Sequence, residues 1–564
     1  QRLPGNIGGI NAHLASMALN GKVFTADWDH PTFLQTQKAN VGFGAGIVSG
    51  SSSQGYAENM DILRAMWRRD FAHLWATGAG SLWDHVFGET YAFASPDIIS
   101  EMKFLVETSR RVKPFAVNDP GTEVALIYDE KAVDFLRKGI GTLQYTWARK
   151  QLDEFLLSGV PFGAYYAEDL REGKIPRSKI YIIQNALDLD ARLVSAIEKL
   201  KQGGATIVFL RDTGYAQSFT DAEKVSALVG MKLARSETTS RYPDKLNENH
   251  PLVKWNEPAG KNADALVWPS TWNIFGPFEK TETPNLAGQK NIPAEVSTGA
   301  RSVKGKNVRI SGGYMDFQSL LGSAASAGRQ AVAMASLTSE SDREVTLGAG
   351  ADWWMEWWVN GEKVFDTMAK GNENGSIGAR NHLFRVKLNK GMNLIAVRVI
   401  SGSGGFTFAS GGPNEVSGGE VFAAGAEKII ADPEFTWAVV DPKAELLATY
   451  AGTEIPGFAI RENKNFKTVF AGTRLLSRNL IQALAKYAGA WRVAKPGTVC
   501  AVGENFLMLQ PTQSGPVEVS LREAAVLIPL ENPDSWNANP SGSPKKDFVL
   551  DLKVGATYLY RLEK

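Results

Sequence analysis

Between residues 123 and 210 the apolar residues come in short, nearly unbroken runs: Glu123-Val-Ala-Leu-Ile-Tyr-Asp129, Phe162-Gly-Ala-Tyr-Tyr166, Lys179-Ile-Tyr-Ile-Ile-Gln184 and Ala205-Thr-Ile-Val-Phe-Leu210. A strand that is apolar at every position is buried on both faces, and helical stretches separate these runs, so the pattern predicts a doubly wound parallel sheet. A long helical stretch is expected from Asp129 to about Ser158. A second helix, Ala191 to about Gln202, has clear ends, with Asp190 as N-cap and Gly203 past the last turn. From about Trp268 to Pro413 the chain turns to glycine, serine and short strands such as Trp353-Trp-Met-Glu-Trp-Trp-Val-Asn-Gly361, the pattern of a β-sandwich. Asn360-Gly361 predicts a tight hairpin, because both turn positions want positive φ. Strands resume after about residue 431 with Glu445–Tyr450, Pro456–Arg461 and Lys467–Gly472. A helix from Leu475 to Tyr487 follows, and then a small β-domain from Pro511 to Lys564.

The amino-terminal part alternates instead. In Gly21-Lys-Val-Phe-Thr-Ala-Asp-Trp-Asp-His30, a strand pattern places Val23, Thr25, Asp27 and Asp29 on one side and ends in ionisable groups. A helix with apolar positions at Met60, Leu63, Trp67, Phe71 and Leu74 leads to a second short strand that ends in Trp83, Asp84, His85 and Glu89. Strand, helix, strand with polar groups at both exits reads as two consecutive units of a parallel β/α barrel, whose chemistry sits at the carboxyl ends of its strands. A carboxylate at one strand end commonly orders a loop or caps a helix. Two matching clusters point to a cleft.

Composition narrows the function classes. With 44% hydrophobic and 21% charged residues, the 564-residue chain is a globular protein with several domains. A net charge of +1 without basic runs excludes nucleic acid as a partner. The single cysteine, Cys500, excludes a disulfide framework and reads as a buried inert thiol. The six histidines lack ligand spacing, so no metal site is expected. No apolar run reaches the length of a membrane span, and a periplasmic or secreted setting is favoured over the cytoplasm. No cofactor is expected: the first strand of the doubly wound region runs into Asp129-Glu-Lys-Ala-Val, with acidic side chains where a glycine-rich turn would cradle phosphate. In the sandwich, alternation puts Trp353, Met355, Trp357 and Val359 on a core face. Trp354, Glu356 and Trp358 lie on the other, where tryptophan can stack on sugar rings or pack against a neighbouring domain.

Read in order, Arg2-Leu-Pro-Gly, Asn20–Phe33, Leu63–Asp84 and Ser95-Pro-Asp-Ile-Ile99 resemble the last quarter of the catalytic barrel in glycoside hydrolases related to the family 42 β-galactosidases. The resemblance implies that Gly21 to Asp29 is barrel strand seven and Gly80 to Trp83 strand eight. Asp27 then stands where the family has its glutamate nucleophile, one methylene shorter, in a reaction that needs two carboxyl groups about 5–5.5 Å apart. It further implies catalytic roles for Asp27 or Asp29, a sugar platform at Trp83, and cleft positions for His30, Asp84, His85 and Glu89. The sandwich tryptophans Trp354 and Trp358 are candidate glycan contacts.

The same resemblance divides the chain into the carboxyl-terminal part of a barrel (1–118), a flavodoxin-like trimerisation domain in two segments (119–267 and 416–505), an inserted jelly-roll β-sandwich (268–415) and a small terminal β-domain (506–564). The family's general acid lies on strand four, and a whole barrel takes about 250 residues. With Gln1 in place of an initiator methionine, the expectation is a processed piece or one subunit of a split enzyme, inactive alone. Carbohydrate is the expected ligand, and a homo-oligomer such as a trimer, or a chain that completes the barrel, the expected partner. Two functions remain open. One is part of a retaining glycosidase acting on galactoside-like or complex polysaccharide substrates; the other is a non-catalytic glycan-binding or assembly scaffold.

Overall fold

The computed structural model describes residues 8, 12–28, 32–36, 57, 59–83, 93–135, 146–236, 243–245, 250–254, 266, 268–269, 271–309, 314–322, 327–339, 341–372, 377–379, 381–402, 405–412, 436–450 and 453–564. It is a mixed α/β protein with many strands and few helices. The chain forms two compact units: the strands between Thr271 and Gly411 make one, and the elements before and after them make the other.

The first unit begins with helix α1 (Leu14–Leu19), strand β1 (Thr25–Trp28), helix α2 (Met60–Thr77), strand β2 (Gly80–Trp83) and helix α3 (Pro96–Ser109). Next come β3 (Val124–Tyr128), α4 (Gln151–Leu156), β4 (Gly163–Tyr166), α5 (Ala167–Arg171), β5 (Ile180–Ile183), α6 (Ala191–Gln202), β6 (Thr206–Leu210), α7 (Ala222–Val229), β7 (Leu233–Ser236), β8 (Pro243–Lys245) and α8 (Pro251–Lys254). The second unit holds β9 (Thr271–Phe278), β10 (Glu295–Ser297), β11 (Ser302–Lys304), β12 (Lys306–Arg309), β13 (Tyr314–Asp316) and β14 (Gln330–Ser339). It continues with β15 (Arg343–Ala351), β16 (Trp353–Val359), β17 (Glu362–Asp366), β18 (His382–Leu388), β19 (Gly391–Ser401) and β20 (Thr407–Gly411). The first unit then resumes with β21 (Thr436–Val439), β22 (Glu445–Tyr450), β23 (Pro456–Glu462), β24 (Lys467–Ala471), α9 (Arg478–Tyr487), β25 (Thr498–Val502), β26 (Phe506–Pro511), β27 (Gly515–Pro529), β28 (Lys545–Leu552) and β29 (Tyr558–Glu563).

Its main sheet has the order β4-β3-β5-β6-β24-β23-β22-β8. The strands from β4 to β24 run parallel, and β23, β22 and β8 continue antiparallel. Helices cover both faces, as the unbroken apolar runs require. Ile127, Ile183 and Phe209 pack with Leu170 of α5, Ile197 of α6 and Val225 of α7. Leu126, Ile182 and Val208 pack with Phe155 of α4, Leu252 of α8 and Leu484 of α9. Helix α6 starts where Asp190 accepts a hydrogen bond from the Leu193 amide at 2.9 Å.

Three boundaries differ from expectation. The stretch after Asp129 is a 3-10 turn over Glu130–Phe135; described structure returns with a π-turn at Thr146–Lys150 and the short α4. Helix α9 begins at Arg478, because the Ser477 hydroxyl accepts from the Leu480 amide. The terminal sheet starts at Thr498, so Cys500 belongs to it; its order is β25-β26-β29-β27-β28.

The second unit is a β-sandwich. A six-stranded antiparallel sheet, β12-β9-β14-β19-β16-β17, faces a four-stranded one, β13-β20-β15-β18, across a core that contains Trp272, Leu347, Trp357 and Phe408. Asn360 and Gly361 both take positive φ between β16 and β17, as the hairpin demands.

Candidate active site

β1 and β2 pair in parallel, in the register Thr25↔Gly80, Ala26↔Ser81, Asp27↔Leu82 and Trp28↔Trp83. Helix α2 makes the crossover between them. It starts where the Asn59 side chain accepts from the Ile62 amide at 3.0 Å, and ends at Gly78, whose φ of 67° is a left-handed cap.

This helix covers one face of the two-stranded ribbon. Ala26 and Trp28 point into it and join Leu63, Trp67, Phe71 and Leu74 in a common core. Trp28 stacks on Phe71 with ring centroids 5.7 Å apart. The helix also lies against the terminal sheet, where Trp75, itself in contact with Phe71, meets Phe506 edge-on at 6.1 Å. Ionic contacts fix the helix further. Arg68 grips Glu101 of α3 through Nε at 2.7 Å and Nη2 at 2.9 Å, and the wholly buried Arg69 donates to Asp70 at 2.7 Å. No pattern in the sequence marked Arg68, Arg69 or Asp70, because their apolar surroundings come from elements distant in the chain.

Among the described residues, no element packs on the other face of the ribbon. That face carries Thr25 and Asp27, both exposed, and Leu82, 46% exposed. Asp27 is the one carboxylate on this face among the described residues. Val23 precedes the strand and is 79% exposed.

Asp27 and Trp83 do not share a surface. Because Asp27 pairs with Leu82 and Trp28 with Trp83, the Trp83 ring lies on the helix side, 5.1 Å from Phe71 and 5.7 Å from Trp67. The expected platform is thus packed beneath the ribbon. Asp29, His30, Asp84, His85 and Glu89 lie outside the described residues.

In the sandwich, Trp354 is half-buried. Trp358 packs on a second small core with Phe275 and Phe278. Glu356, between them on the same face, is buried and bridged to Arg398 and, at 2.8 Å, to Lys363. Met355, Trp357 and Val359 are in the main core as the alternation predicts, whereas Trp353 is half-buried.

The exit of β3 is filled by protein. Arg171 holds the Asp129 carboxylate at 3.1–3.2 Å and Asp190 at 2.9 Å, while the Asn185 side chain brackets the Asp129 backbone. Burial pushes the Asp129 carboxyl up and Arg171 opposes it. The described residues contain no group of three or more metal-ligating side chains, and no described helix is long and apolar enough to cross a membrane.

No family model matches the chain, and no curated protein matches it. Solved structures are similar to it at low identity. The β-galactosidase from Bacillus circulans sp. alkalophilus shares 10% identity over 90% of this chain and 53% of its own, with a TM-score of 0.40. A catalytic mutant of Gan42B, a GH42 β-galactosidase from G. stearothermophilus, shares 10% over 90% and 51%, with a TM-score of 0.38. Alpha-L-fucosidase isoenzyme 2 from Paenibacillus thiaminolyticus shares 10% over 99% and 64%, also at 0.38. The chain spans about half the length of the two β-galactosidases.

Proposed function

We propose that this chain is the carboxyl-terminal part of a glycoside hydrolase related to the family 42 β-galactosidases, acting with retention on galactoside-like or complex polysaccharide substrates. The ribbon carries this reading. Two parallel strands have their crossover helix on one face and the exposed Asp27 on the other, which no element covers among the described residues. Parallel strands are ordinarily covered on both faces, and a barrel stave has its helix outside and its inward side chains facing the other strands. Further strands packed on this face would cover Leu82 and leave Asp27 near the carboxyl end of the barrel.

In that setting the Asp27 carboxylate attacks the anomeric carbon. A second carboxyl group, from the part that completes the barrel, protonates the leaving oxygen and then activates water. Asp29, His30, Asp84, His85 and Glu89 are proposed to line the same mouth, since they follow β1 and β2 at their carboxyl ends. Trp83 acts as a support for the ribbon, and as a sugar platform only by way of its exposed edge. The doubly wound sheet serves as a flavodoxin-like assembly domain, possessing the strand order of that fold, and the sandwich as a jelly-roll glycan contact through Trp354.

That the described residues place a single carboxylate, Asp27, on this face favours a second reading, in which the chain is a glycan-binding or assembly scaffold. The two readings separate in one assay, using nitrophenyl galactoside and a panel of galactose-containing polysaccharides. The chain alone should not hydrolyse them. Together with the polypeptide that supplies the remaining strands it should, and Asp27→Asn should lower turnover by several orders of magnitude while ligand binding persists. Polysaccharide binding without hydrolysis in the completed assembly establishes the scaffold.

A further inference from the structure

A cavity of about 130 Å³ lies in the first unit, where α2, the first residues of α1, α4, the segment before β4 and the edge strand β25 meet. It has no part in the glycosidase reading, since its wall belongs to the helix side of the ribbon, away from Asp27.

The wall is aromatic and apolar. Phe155 and Phe162 stand with ring centroids 4.8 Å apart, and Phe115 closes a third side. Phe115 can do so because residue 121 is glycine: a Cβ there would lie 2.7 Å from the Phe115 ring, and its φ of +64° suits glycine in any case. Ala76 and Ala15 supply small side chains where larger ones would fill the space.

Among the described residues of the wall, polar side chains are few and uncharged. Thr77 spends its hydroxyl on its own helix, donating to the His73 and Leu74 carbonyls. His73 is kept neutral, its pKa lowered to about 3 by burial and then by Arg69. The Cys500 thiol is pushed up to about 12 by burial and so stays protonated. A sugar, with a hydroxyl on nearly every carbon, would lose its hydrogen bonds here. An apolar cavity of roughly 150 Å³ stays dry and takes up benzene.

We propose that this cavity is a binding site for a small, uncharged, single-ring aromatic molecule, packed among Phe115, Phe155 and Phe162 with Cys500 in its wall. Aromatic rings in such a setting gain from edge and offset contacts beyond the area they bury.

Cys500 is the chain's sole cysteine and therefore a unique reporter. The experiment titrates the 564-residue chain with toluene, followed by saturation-transfer NMR, and measures alkylation of Cys500 by N-ethylmaleimide with and without toluene. Saturable binding is expected. Toluene at ten times its Kd should slow alkylation about tenfold, because only the empty fraction reacts. Ala76→Phe, which fills the space, should abolish both signals with the circular dichroism spectrum unchanged. Ala15→Leu, a milder filling, should weaken toluene binding should Ala76→Phe fail to fold. Absence of saturable binding in the native chain overturns the proposal, as does toluene binding that leaves Cys500 alkylation unchanged or that survives in a folded filled variant.

Discussion

The first unit contains two sets of parallel strands joined by helical crossovers, and they are finished differently. In the doubly wound sheet every residue of β3, β5 and β6 is buried, because helices lie on both sides. In the ribbon β1 alternates exposed and buried, with α2 covering one face and no element on the other among the described residues. The sequences already differ in kind: Val-Ala-Leu-Ile-Tyr and Thr-Ile-Val-Phe-Leu have no polar face to show, whereas Thr-Ala-Asp-Trp has one. The polar side of this parallel pair carries Thr25 and Asp27, with Leu82 beside them.

The contrast can be broken most severely in the core. Phe209→Ala, at a wholly buried position between the sheet and its helices, should cost about 3–5 kcal/mol and lower the urea midpoint of the first unit markedly. A loss under about 1 kcal/mol would mean that this face is not packed as described.

A smaller effect links the two sets of strands through His13. It precedes α1 and stacks on Tyr166 at 4.8 Å and Tyr128 at 5.1 Å, at the exits of β4 and β3, while Asn20 at the end of α1 donates to Asp169 of α5 at 2.6 Å. Burial lowers its pKa from 6.5 to about 4. Between those values the unfolded chain binds more protons than the folded one, so stability is full above pH 6.5 and falls as pH drops towards 4. The loss approaches about 3 kcal/mol. His13→Phe keeps a ring between the tyrosines and should flatten this part of the urea midpoint against pH. An unchanged slope would place the titration elsewhere.

The smallest effect belongs to the face of Asp27 and Leu82. Leu82→Ser should change the stability of the isolated chain by no more than about 0.5 kcal/mol, as measured by urea unfolding, because its side chain has little packing to lose. A loss comparable to that of Phe209→Ala would show that the face is covered in the chain by itself.

Legibility followed the same division. The buried parallel strands, helix α6 with its Asp190 cap, and the Asn360-Gly361 hairpin were readable because each depends on residues adjacent in sequence. The facing of Trp83 was not. It depends on the register between strands more than fifty residues apart, and a shift of one position exchanges the two faces. Trp358 was unreadable for a related reason: alternation placed it off the main core, but the excursion through β10 and β11 builds a second core over that face. The facing of Asp27 away from the helix was readable, since its signal was alternation alone. Asp29, His30, Asp84, His85 and Glu89 fall outside the described residues.

The proposal that Asp27 is the attacking carboxylate is tested most directly by chemical rescue. Asp27→Gly is prepared in the completed, hydrolysing assembly and assayed on an activated aryl galactoside with and without azide. If Asp27 forms the covalent intermediate, the variant is nearly inactive in water, and azide entering the vacated space restores turnover, giving a galactosyl azide of inverted anomeric configuration. Near-normal hydrolysis by Asp27→Gly without azide, with an unchanged anomeric product, would contradict the claim and assign the attack to another residue.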